Sequence, residues 1–175
     1  VMLSHTNLVN NIYDIGSMFN VDENDVFLSF LPLHHCFECT VGFLFAVSRG
    51  ATIAFCEGIR YIADNLKEYE ATVMVAVPVL FENMYKKVMQ GIDKKGKTKT
   101  VKFGIKLCKF LKIFGIDARR KIFKDVHANF GGKLRLLVAG GAAFDKEAEK
   151  GFTNIGVQHA FAVLIHAFED AHFQF

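Results

Sequence analysis

The sequence predicts an α/β fold in which a mostly parallel sheet is flanked by helices. Short apolar runs alternate along the chain with longer segments whose apolar residues recur at helical spacing. Two of the short runs end at Pro32 and Pro78, and another ends at the pair Gly140 and Gly141. Because strands that alternate with helices return to the same edge before each new strand, the sheet is expected to be parallel.

The first half of the chain predicts three helices and two strands. Apolar residues at helical spacing predict a helix over residues 5–19, and a short apolar run predicts a strand over 26–31. Residues 36–49 are apolar nearly all round and are followed by a glycine, which indicates a buried helix. A second strand is predicted over 51–56 and a helix over 61–70.

The second half repeats this alternation. A third strand is predicted over residues 72–77, where the next proline stops it, and a helix over 79–90. Residues 102–130 predict one or two helices, broken near Gly115. The fourth strand is predicted over 134–139, and a last helix over 146–154, with Asp145 as its N-cap.

The composition is that of a folded domain. The chain has 175 residues, of which 51% are hydrophobic, with nineteen Phe and no Trp. This content of core-forming residues excludes a disordered chain. No apolar run has the length of a membrane span, no signal peptide is visible, and the four cysteines lack the spacing of a disulfide scaffold, so a cytoplasmic protein is expected. The chain begins with Val1 and is expected to be part of a longer one.

Two loops at strand ends are the candidate binding sites. Ligands of parallel sheets bind outside the carboxyl ends of the strands. The loop after the first strand carries His34 and His35, with Phe37 two residues further on, and imidazole offers a flat face and a hydrogen-bonding group near neutral pH. After the fourth strand, Gly140 and Gly141 leave no Cβ in the way of a ligand. The alternative for this second loop is a tight strand-to-helix connection without a ligand.

A metal site is a further alternative for the first loop. Cys36 and Cys39, together with His34 and His35, resemble half of a zinc site. The sequence holds no second pair of ligands at metal-binding spacing, and Cys39 lies in an apolar segment. A small His/Cys metal-binding protein therefore stays an alternative, and no metal site is predicted.

Basic residues are concentrated in one part of the chain. Residues 86–124 hold fourteen Lys or Arg against two Asp. On a helix starting at residue 101, Lys102, Lys106 and Lys109 form one stripe. The opposite face is predicted to consist of Phe103, Leu107, Phe110, Leu111 and Phe114. Such a helix either lies on an anionic membrane surface or packs by its Phe face with its lysines in solvent. No nucleic-acid partner is expected, because exposed aromatic residues are not predicted among the lysines.

Four segments, in the same order, resemble the adenylate-forming acyl-CoA synthetases. Residues 1–8 resemble the segment that follows the phosphate loop of that family, and residues 31–37 resemble its motif of a proline followed by histidines. Residues 77–81 resemble a strand-to-helix corner, and residues 137–143 resemble the Gly-Gly-Ala segment. The lysine-rich insert before that segment is similar to that of the long-chain fatty acid ligases.

The resemblance implies a partial domain of the adenylate-forming enzyme fold. For the full enzyme it implies ATP-dependent adenylation of a fatty acid and then thioester formation with CoA, with Mg²⁺ as the metal ion. The substrate-binding residues that it implies are His35, beside the carboxylate, with His34 as its support and Phe37 as a further pocket residue, and Gly140, Gly141 and Ala142, as a wall against adenine and the acyl carbonyl.

The sequence also departs from the family pattern. The phosphate loop would precede Val1, and after Gln158 the family's Gly-Tyr-Gly and Thr-Glu motifs are replaced by an unrelated stretch. Residues 1–158 are therefore expected to be a fragment of the AMP-binding N-terminal domain, and residues 159–175 an aberrant tail. Such a fragment is expected to be inactive alone and to self-associate through open sheet edges. A non-catalytic module that binds an acyl chain or a membrane surface is the alternative.

Overall fold

A parallel sheet forms the centre of the chain. The computed structural model describes residues 2–140, 142 and 144–161. Within this part, five strands pair in the order β2-β1-β3-β4-β5, and every neighbouring pair is parallel. The strands are β1 (Val26–Ser29), β2 (Thr52–Phe55), β3 (Val73–Ala76), β4 (Leu136–Ala139) and β5 (Gln158–Phe161). The α/β fold predicted from the sequence is confirmed.

Helices connect the strands. They are α1 (His5–Met18), a π-helix (Glu38–Leu44) that continues into α2 (Phe45–Ser48), α3 (Ile62–Glu68), α4 (Pro78–Lys94), α5 (Thr98–Ile113), α6 (Arg119–Ile122), α7 (Lys124–Ala128) and α8 (Lys146–Ile155). Pro78 opens α4, where its missing N–H is not needed. The predicted break near Gly115 is present, because this residue follows the end of α5 with a φ of 76°.

The two faces of the sheet bury two separate cores, because successive side chains of a strand point to opposite faces. On one face, Phe27 packs with Ile15 of α1 and Phe45 of α2. On the other face, Leu28 packs with Phe81 of α4 and Phe152 of α8. Among the connections between the described strands, the one from β1 to β2 runs over the face that carries Phe27. Helices α3 to α8 cover the face that carries Leu28.

Strand β5 is absent from the sequence-based prediction. Its four residues pair in register with Leu136–Ala139 of β4. The run opens with Gln158 and His159, so it lacks the continuous apolar residues by which the other strands, which are equally short, were predicted. The predicted boundary between the AMP-binding fragment and the tail, at residue 158, stays a prediction. Residues 162–175 of that tail lie outside the described part of the chain.

Helix α5 packs by a different face from the one predicted. Phe103, Phe110 and Phe114 are 67%, 57% and 66% exposed, and the buried residues of the helix are Gly104 and Cys108. A Cβ at Gly104 would lie 3.1 Å from Ile122 Cγ2, so small residues let α5 approach α6 closely. Of the two alternatives for this helix, packing by the Phe face is therefore wrong. The related expectation that no exposed aromatic residues accompany the lysines is also wrong.

Among the described residues, no helix combines the length and the hydropathy that crossing a membrane would require.

Candidate functional site

The strand order places a crevice at the carboxyl edge of the sheet. β1 and β3 are neighbours, but the chain leaves β1 over one face and leaves β3 over the other. In open parallel sheets, ligands bind at such a reversal of strand order. The loop 30–37 after β1, the corner at Val77 and Pro78 after β3, and the loop after β4 all meet at this edge.

Two of the predicted site residues are in direct contact across this edge. A Cβ built on Gly140 would lie 2.8 Å from Cζ and 2.9 Å from Cε2 of Phe37. The Phe37 ring, 9% exposed, therefore rests on the backbone at the end of β4. Since β3 lies between β1 and β4, the loop 30–37 spans the width of two strand spacings, about 10 Å, to make this contact. The turns that follow the first and fourth strands thus lie side by side.

The two histidines stand on the exposed side of the same loop. His34 and His35 are both exposed, as is Cys36. The loop is held by backbone hydrogen bonds, in which His35 N donates to Pro32 O at 2.9 Å and Cys39 N donates to His35 O at 2.9 Å. Phe37 N donates to His35 Nδ1 at 3.3 Å. Because Nδ1 accepts, the neutral imidazole carries its proton on Nε2, which can therefore donate to a ligand.

The loop after β4 is tied to two helices. Asp145 caps α8 as predicted, and its Oδ1 accepts hydrogen bonds from Glu147 N and Ala148 N at 3.0 Å each. Asp145 N in turn donates to Glu82 Oε1 of α4 at 3.1 Å. Ala142 is exposed in this loop. Gly141, the remaining predicted wall residue, lies outside the described residues, so its position stays a prediction.

The sequence analysis missed a buried carboxyl group beside this contact. Glu38 follows Phe37, is 0% exposed, and accepts a hydrogen bond from Ser29 Oγ at 2.6 Å. Burial raises the pKa of Glu38 to about 7, although the hydrogen bond from Ser29 acts in the opposite direction. The signal that points to this residue is one acidic side chain in an otherwise apolar segment directly after the site motif.

A separate groove lies between α3, α4, α5 and α7, on the face of the sheet that carries Leu28. Its volume is about 990 Å³, at the upper end of the range for ligand pockets. Leu66, Leu80, Met84 and Phe123 contribute to its apolar walls. Lysines line its rim, namely Lys86, Lys87, Lys95 and Lys97. The groove combines an apolar interior with a cationic border.

The alternative of a His/Cys metal site finds no suitable group of ligands among the described residues. Within residues 2–140, 142 and 144–161, no three His, Cys, Asp or Glu side chains are grouped so that they could hold a metal ion. His34, His35, Cys36 and Cys39 therefore do not form such a group.

A comparison with known protein families shows which family this chain belongs to. The profile of the family described as AMP-binding enzyme matches residues 1–168. The chain belongs to the AMP-binding enzyme family. The resemblance inferred from the four motif segments is thereby confirmed.

Several long-chain acyl-CoA ligases are relatives of this AMP-binding chain. It is 35% identical over 156 residues to long-chain-fatty-acid–CoA ligase 5 of Mus musculus, a match that covers 81% of this chain and 22% of the relative. It is 28% identical over 165 residues to long chain acyl-CoA synthetase 2 of Arabidopsis thaliana, covering 86% and 25%. The chain thus spans about a quarter of the length of these relatives.

Solved structures of AMP-binding proteins share the fold. The N-terminal domain of FACL13 from Mycobacterium tuberculosis superposes with a TM-score of 0.62 at 15% identity, over 95% of this chain and 34% of that one. ATP-bound MatB from Rhodopseudomonas palustris superposes with a TM-score of 0.60 at 17% identity, over 92% and 25%. At this level of identity the superpositions establish the fold alone.

Proposed function

We propose that this chain is the acyl- and adenylate-binding segment of a long-chain fatty acid–CoA ligase. The full enzyme joins a fatty carboxylate to the α-phosphate of ATP with release of pyrophosphate, and CoA thiol then displaces AMP to form the thioester. The observation that carries this proposal is the contact of Phe37 with Gly140 at the point where the strand order reverses. The identity to long-chain ligases supports the same activity.

In this proposal the loop residues take separate roles. The bare backbone at Gly140 and Gly141, with Ala142, forms a wall against adenine and the acyl carbonyl. His35 stands beside the carboxylate, where its Nε2 proton stabilises the negative charge that develops during acyl transfer. His34 supports the position of His35, and Phe37 closes the pocket from the side of β1.

We further propose that the acyl chain occupies the groove between α3, α4, α5 and α7. Its apolar walls gain free energy by covering the hydrocarbon chain, at roughly 25 cal/mol per Å² of apolar surface removed from water. The lysines at its rim attract the carboxylate of an approaching fatty acid.

ATP, Mg²⁺ and CoA are proposed as ligands of the full enzyme and not of this chain alone. The chain spans about a quarter of the length of its long-chain ligase relatives, so the groups that hold the nucleotide and Mg²⁺ are proposed to be shared with the rest of the enzyme. The chain by itself is accordingly proposed to be unable to complete the reaction.

A second candidate function, contact with a membrane, is favoured by the exposed face of α5. This face presents Lys102, Lys106 and Lys109 together with Phe103 and Phe110. Lysines attract anionic headgroups, and phenyl rings insert at the level of the acyl chains. A cytoplasmic protein with this face, peripheral at the membrane, would take its fatty acid from the bilayer. A non-catalytic module that binds acyl chains or a membrane surface would show the same contact without ligase activity.

Self-association is proposed to occur through strand β2. In the described part of the chain, β2 pairs with β1 on one side, and its other edge carries no strand. Phe55 is 55% exposed at the end of this strand. Open edges with exposed apolar side chains pair with other chains. Replacement of Phe55 by Lys should therefore shift the sedimentation profile toward the monomer.

Isothermal titration tests the ligase proposal. The chain is titrated with ATP, with palmitate, and with a palmitoyl-sulfamoyl adenosine that mimics the acyl adenylate. The adenylate mimic and palmitate should bind, with the mimic tighter, because it carries both the acyl group and the adenylate that this chain is proposed to bind. ATP should release little heat. A chain that is folded by circular dichroism and binds neither acyl ligand would contradict the proposal.

A further inference from the structure

The carboxyl group of Glu38 lies at the base of the loop that carries the proposed substrate-binding residues. Ser29 is the last residue of β1, and Glu38 is the first residue of the π-helix. These two residues therefore flank the segment 30–37, whose last two residues, Cys36 and Phe37, are already helical; we refer to this segment as the loop 30–37. The hydrogen bond from Ser29 Oγ to Glu38 Oε1, at 2.6 Å, closes the base of that loop. We call this hydrogen bond the loop clasp.

The clasp is enclosed on all sides by protein. Glu38 is 0% exposed and Ser29 is 5% exposed. The π-helix contacts α1, β1 and β3. A Cβ built on Gly42 would lie 2.5 Å from Glu38 Oε1 and 2.9 Å from Oε2, so the carboxyl group occupies the space that a side chain at this position would need. A side chain at position 42 would therefore displace the carboxyl group of Glu38.

The second carboxyl oxygen of Glu38, Oε2, determines whether the group keeps its proton. No hydrogen-bond partner for Glu38 Oε2 occurs among the described residues. A buried carboxylate with a single neutral hydrogen bond is strongly unfavourable, and the group avoids this cost by keeping its proton. The raised pKa of Glu38, about 7, has this origin. A buried acidic residue with a perturbed pKa at the edge of a crevice is a candidate for a functional role.

We propose that Glu38 is a positioning residue for the substrate site: through the clasp to Ser29 it fixes the loop 30–37, so that the ring of Phe37 stays on Gly140 and His35 faces the crevice. Its relevance to substrate rests on the proposed ligase function. Phe37 directly precedes Glu38, so a displacement of the backbone at Glu38 also displaces Phe37. Loss of the clasp would let the ring leave Gly140 and would widen the crevice from one side.

Nuclear magnetic resonance of the whole chain tests the position of the ring without any ligand. The Phe37 ring shifts the resonances of Gly140 through its ring current, and Phe37→Leu defines their values without a ring. Ser29→Ala removes the donor of the clasp, and Glu38→Leu removes its acceptor at similar size. Both variants should move the Gly140 resonances toward the Phe37→Leu values. Glu38→Gln keeps an oxygen that accepts from Ser29, and it should leave them as in the parent chain.

A control variant shows whether the change in the Gly140 resonances is specific to the clasp. Ser48→Ala removes another serine hydroxyl, which donates to Phe45 O at 2.7 Å within α2, and it should not move the Gly140 resonances. If Glu38→Leu does not fold, Ser29→Ala decides alone, because it deletes one oxygen atom. Gly140 resonances in Ser29→Ala that equal those of the parent chain would overturn the proposal.

Titration with palmitoyl-sulfamoyl adenosine then tests whether the position of the Phe37 ring affects ligand binding. Ser29→Ala should weaken its binding by about three- to tenfold, the factor that corresponds to one hydrogen bond, whereas Glu38→Gln should bind like the parent. A parent chain that does not bind the mimic would refute the proposed function, and the Gly140 resonances would still decide the role of the clasp. If the parent chain binds the mimic and Ser29→Ala binds it with the same affinity, the clasp does not contribute to ligand binding.

Discussion

The ring of Phe37 occupies the space that a side chain at residue 140 would need. A Cβ at Gly140 would be 2.8 Å from Cζ of this ring, closer than carbon atoms approach without displacement. Gly140 is not among the glycines with a positive φ, so the preference for glycine at this position rests on the steric contact with Phe37. This contact makes the end of β4 and the loop after β1 one surface.

Gly140→Ala should therefore destabilise the chain and open the loop. Overpacking of a closed contact lowers the free energy of unfolding by about 1–3 kcal/mol, to be measured by urea denaturation. Phe37→Leu in the same chain should remove part of this loss, because the added methyl group then has space. The non-additivity of the double variant measures the contact itself.

A matched control for this substitution is Gly91→Ala in α4. A Cβ at Gly91 meets nothing within 4 Å, so this change should be neutral or stabilise the helix by up to about 1 kcal/mol. Equal stability of Gly140→Ala and the parent chain would mean that Phe37 does not rest on Gly140.

The contact of Phe37 with Gly140 was predictable in outline from the sequence. Apolar runs that end at Pro or Gly predicted parallel strands, and the carboxyl ends of parallel strands share one edge. The loops after the first and fourth strands were therefore expected at the same edge. Which strand lies between them was not predictable, because strand order depends on contacts that are distant in sequence.

Three features escaped the sequence analysis for physical reasons. β5 begins with two polar residues, Gln158 and His159, so it lacks the apolar run that marks the four predicted strands. The buried face of α5 consists of the small residues Gly104 and Cys108, and a search for large apolar residues selects the exposed Phe face instead. The burial of Glu38 depends on the missing side chain at Gly42 and on Ser29, and burial of an acid is not expected from residue type.

The free energy of unfolding should depend on pH through Glu38. Burial raises the pKa of this carboxyl from 4.5 in a model peptide to about 7. Below pH 4.5 the group is protonated in both states and adds no penalty. As the pH rises from about 4.5 to about 7, the unfolded state loses this proton and the folded state keeps it, so stability falls, by about 3 kcal/mol in total.

The difference between the parent chain and Glu38→Gln isolates this effect. Burial lowers the pKa of His127, which makes stability fall toward acid pH and opposes the contribution of Glu38 in the parent chain. Because His127 is present in both proteins, its contribution cancels in the difference. Urea denaturation at pH 5 and pH 7.5 should show the stability difference between the two chains change by about 2 kcal/mol, because part of the total penalty is already present at pH 5. A difference that does not vary with pH would contradict a protonated Glu38.

Arg135→Met should destabilise the opposite edge of the sheet by about 3 kcal/mol, since it leaves a buried carboxylate without its partner. Asp25 is 4% exposed and accepts from Arg135 Nε at 2.9 Å and from Thr72 Oγ1 at 2.7 Å. Burial acts to raise the pKa of Asp25, but the hydrogen bonds from Arg135 and Thr72 outweigh it and keep this pKa below its ordinary value. Chemical denaturation at pH 7 measures the loss.

Lys133→Met is the control for the loss of Arg135. Lys133 pairs with Glu70 at 2.6 Å, but both side chains are more than half exposed. Removal of this pair should change stability by less than about 1 kcal/mol. The double variant Asp25→Asn with Arg135→Met should be more stable than Arg135→Met alone, because no unpaired charge remains. Losses of the same size in Arg135→Met and Lys133→Met would argue against a buried ion pair.

Met84→Trp should block the proposed acyl groove. Met84 lines the groove from α4, and indole fills space that a hydrocarbon chain would need. Palmitate affinity, measured by titration, should fall by about tenfold or more. Val79→Trp is the matched control, because Val79 is 58% exposed on the same helix and does not line the groove. Unchanged palmitate affinity in Met84→Trp would place the acyl chain elsewhere.

Charge reversal on α5 should abolish binding to anionic membranes. Each lysine near an anionic surface contributes about 1 kcal/mol, so Lys102→Glu, Lys106→Glu and Lys109→Glu together should reduce co-sedimentation with phosphatidylserine vesicles by roughly a hundredfold or more at low salt. Phe110→Ser with Phe114→Ser should weaken the binding that persists at high salt, where the charges are screened. Together, the two sets of variants separate the electrostatic part of the binding from the apolar part.

An equal change of net charge elsewhere controls for non-specific attraction. Lys67, Lys146 and Lys150 are exposed on α3 and α8, outside the α5 face, and their replacement by Glu should leave most of the vesicle binding intact. Phosphatidylcholine vesicles and a single-stranded oligonucleotide complete the comparison. Equal losses in both triple variants would indicate a diffuse effect of net charge. Binding to the oligonucleotide in preference to anionic vesicles would assign the exposed lysines and phenyl rings of α5 to nucleic acid, because bases stack on such rings.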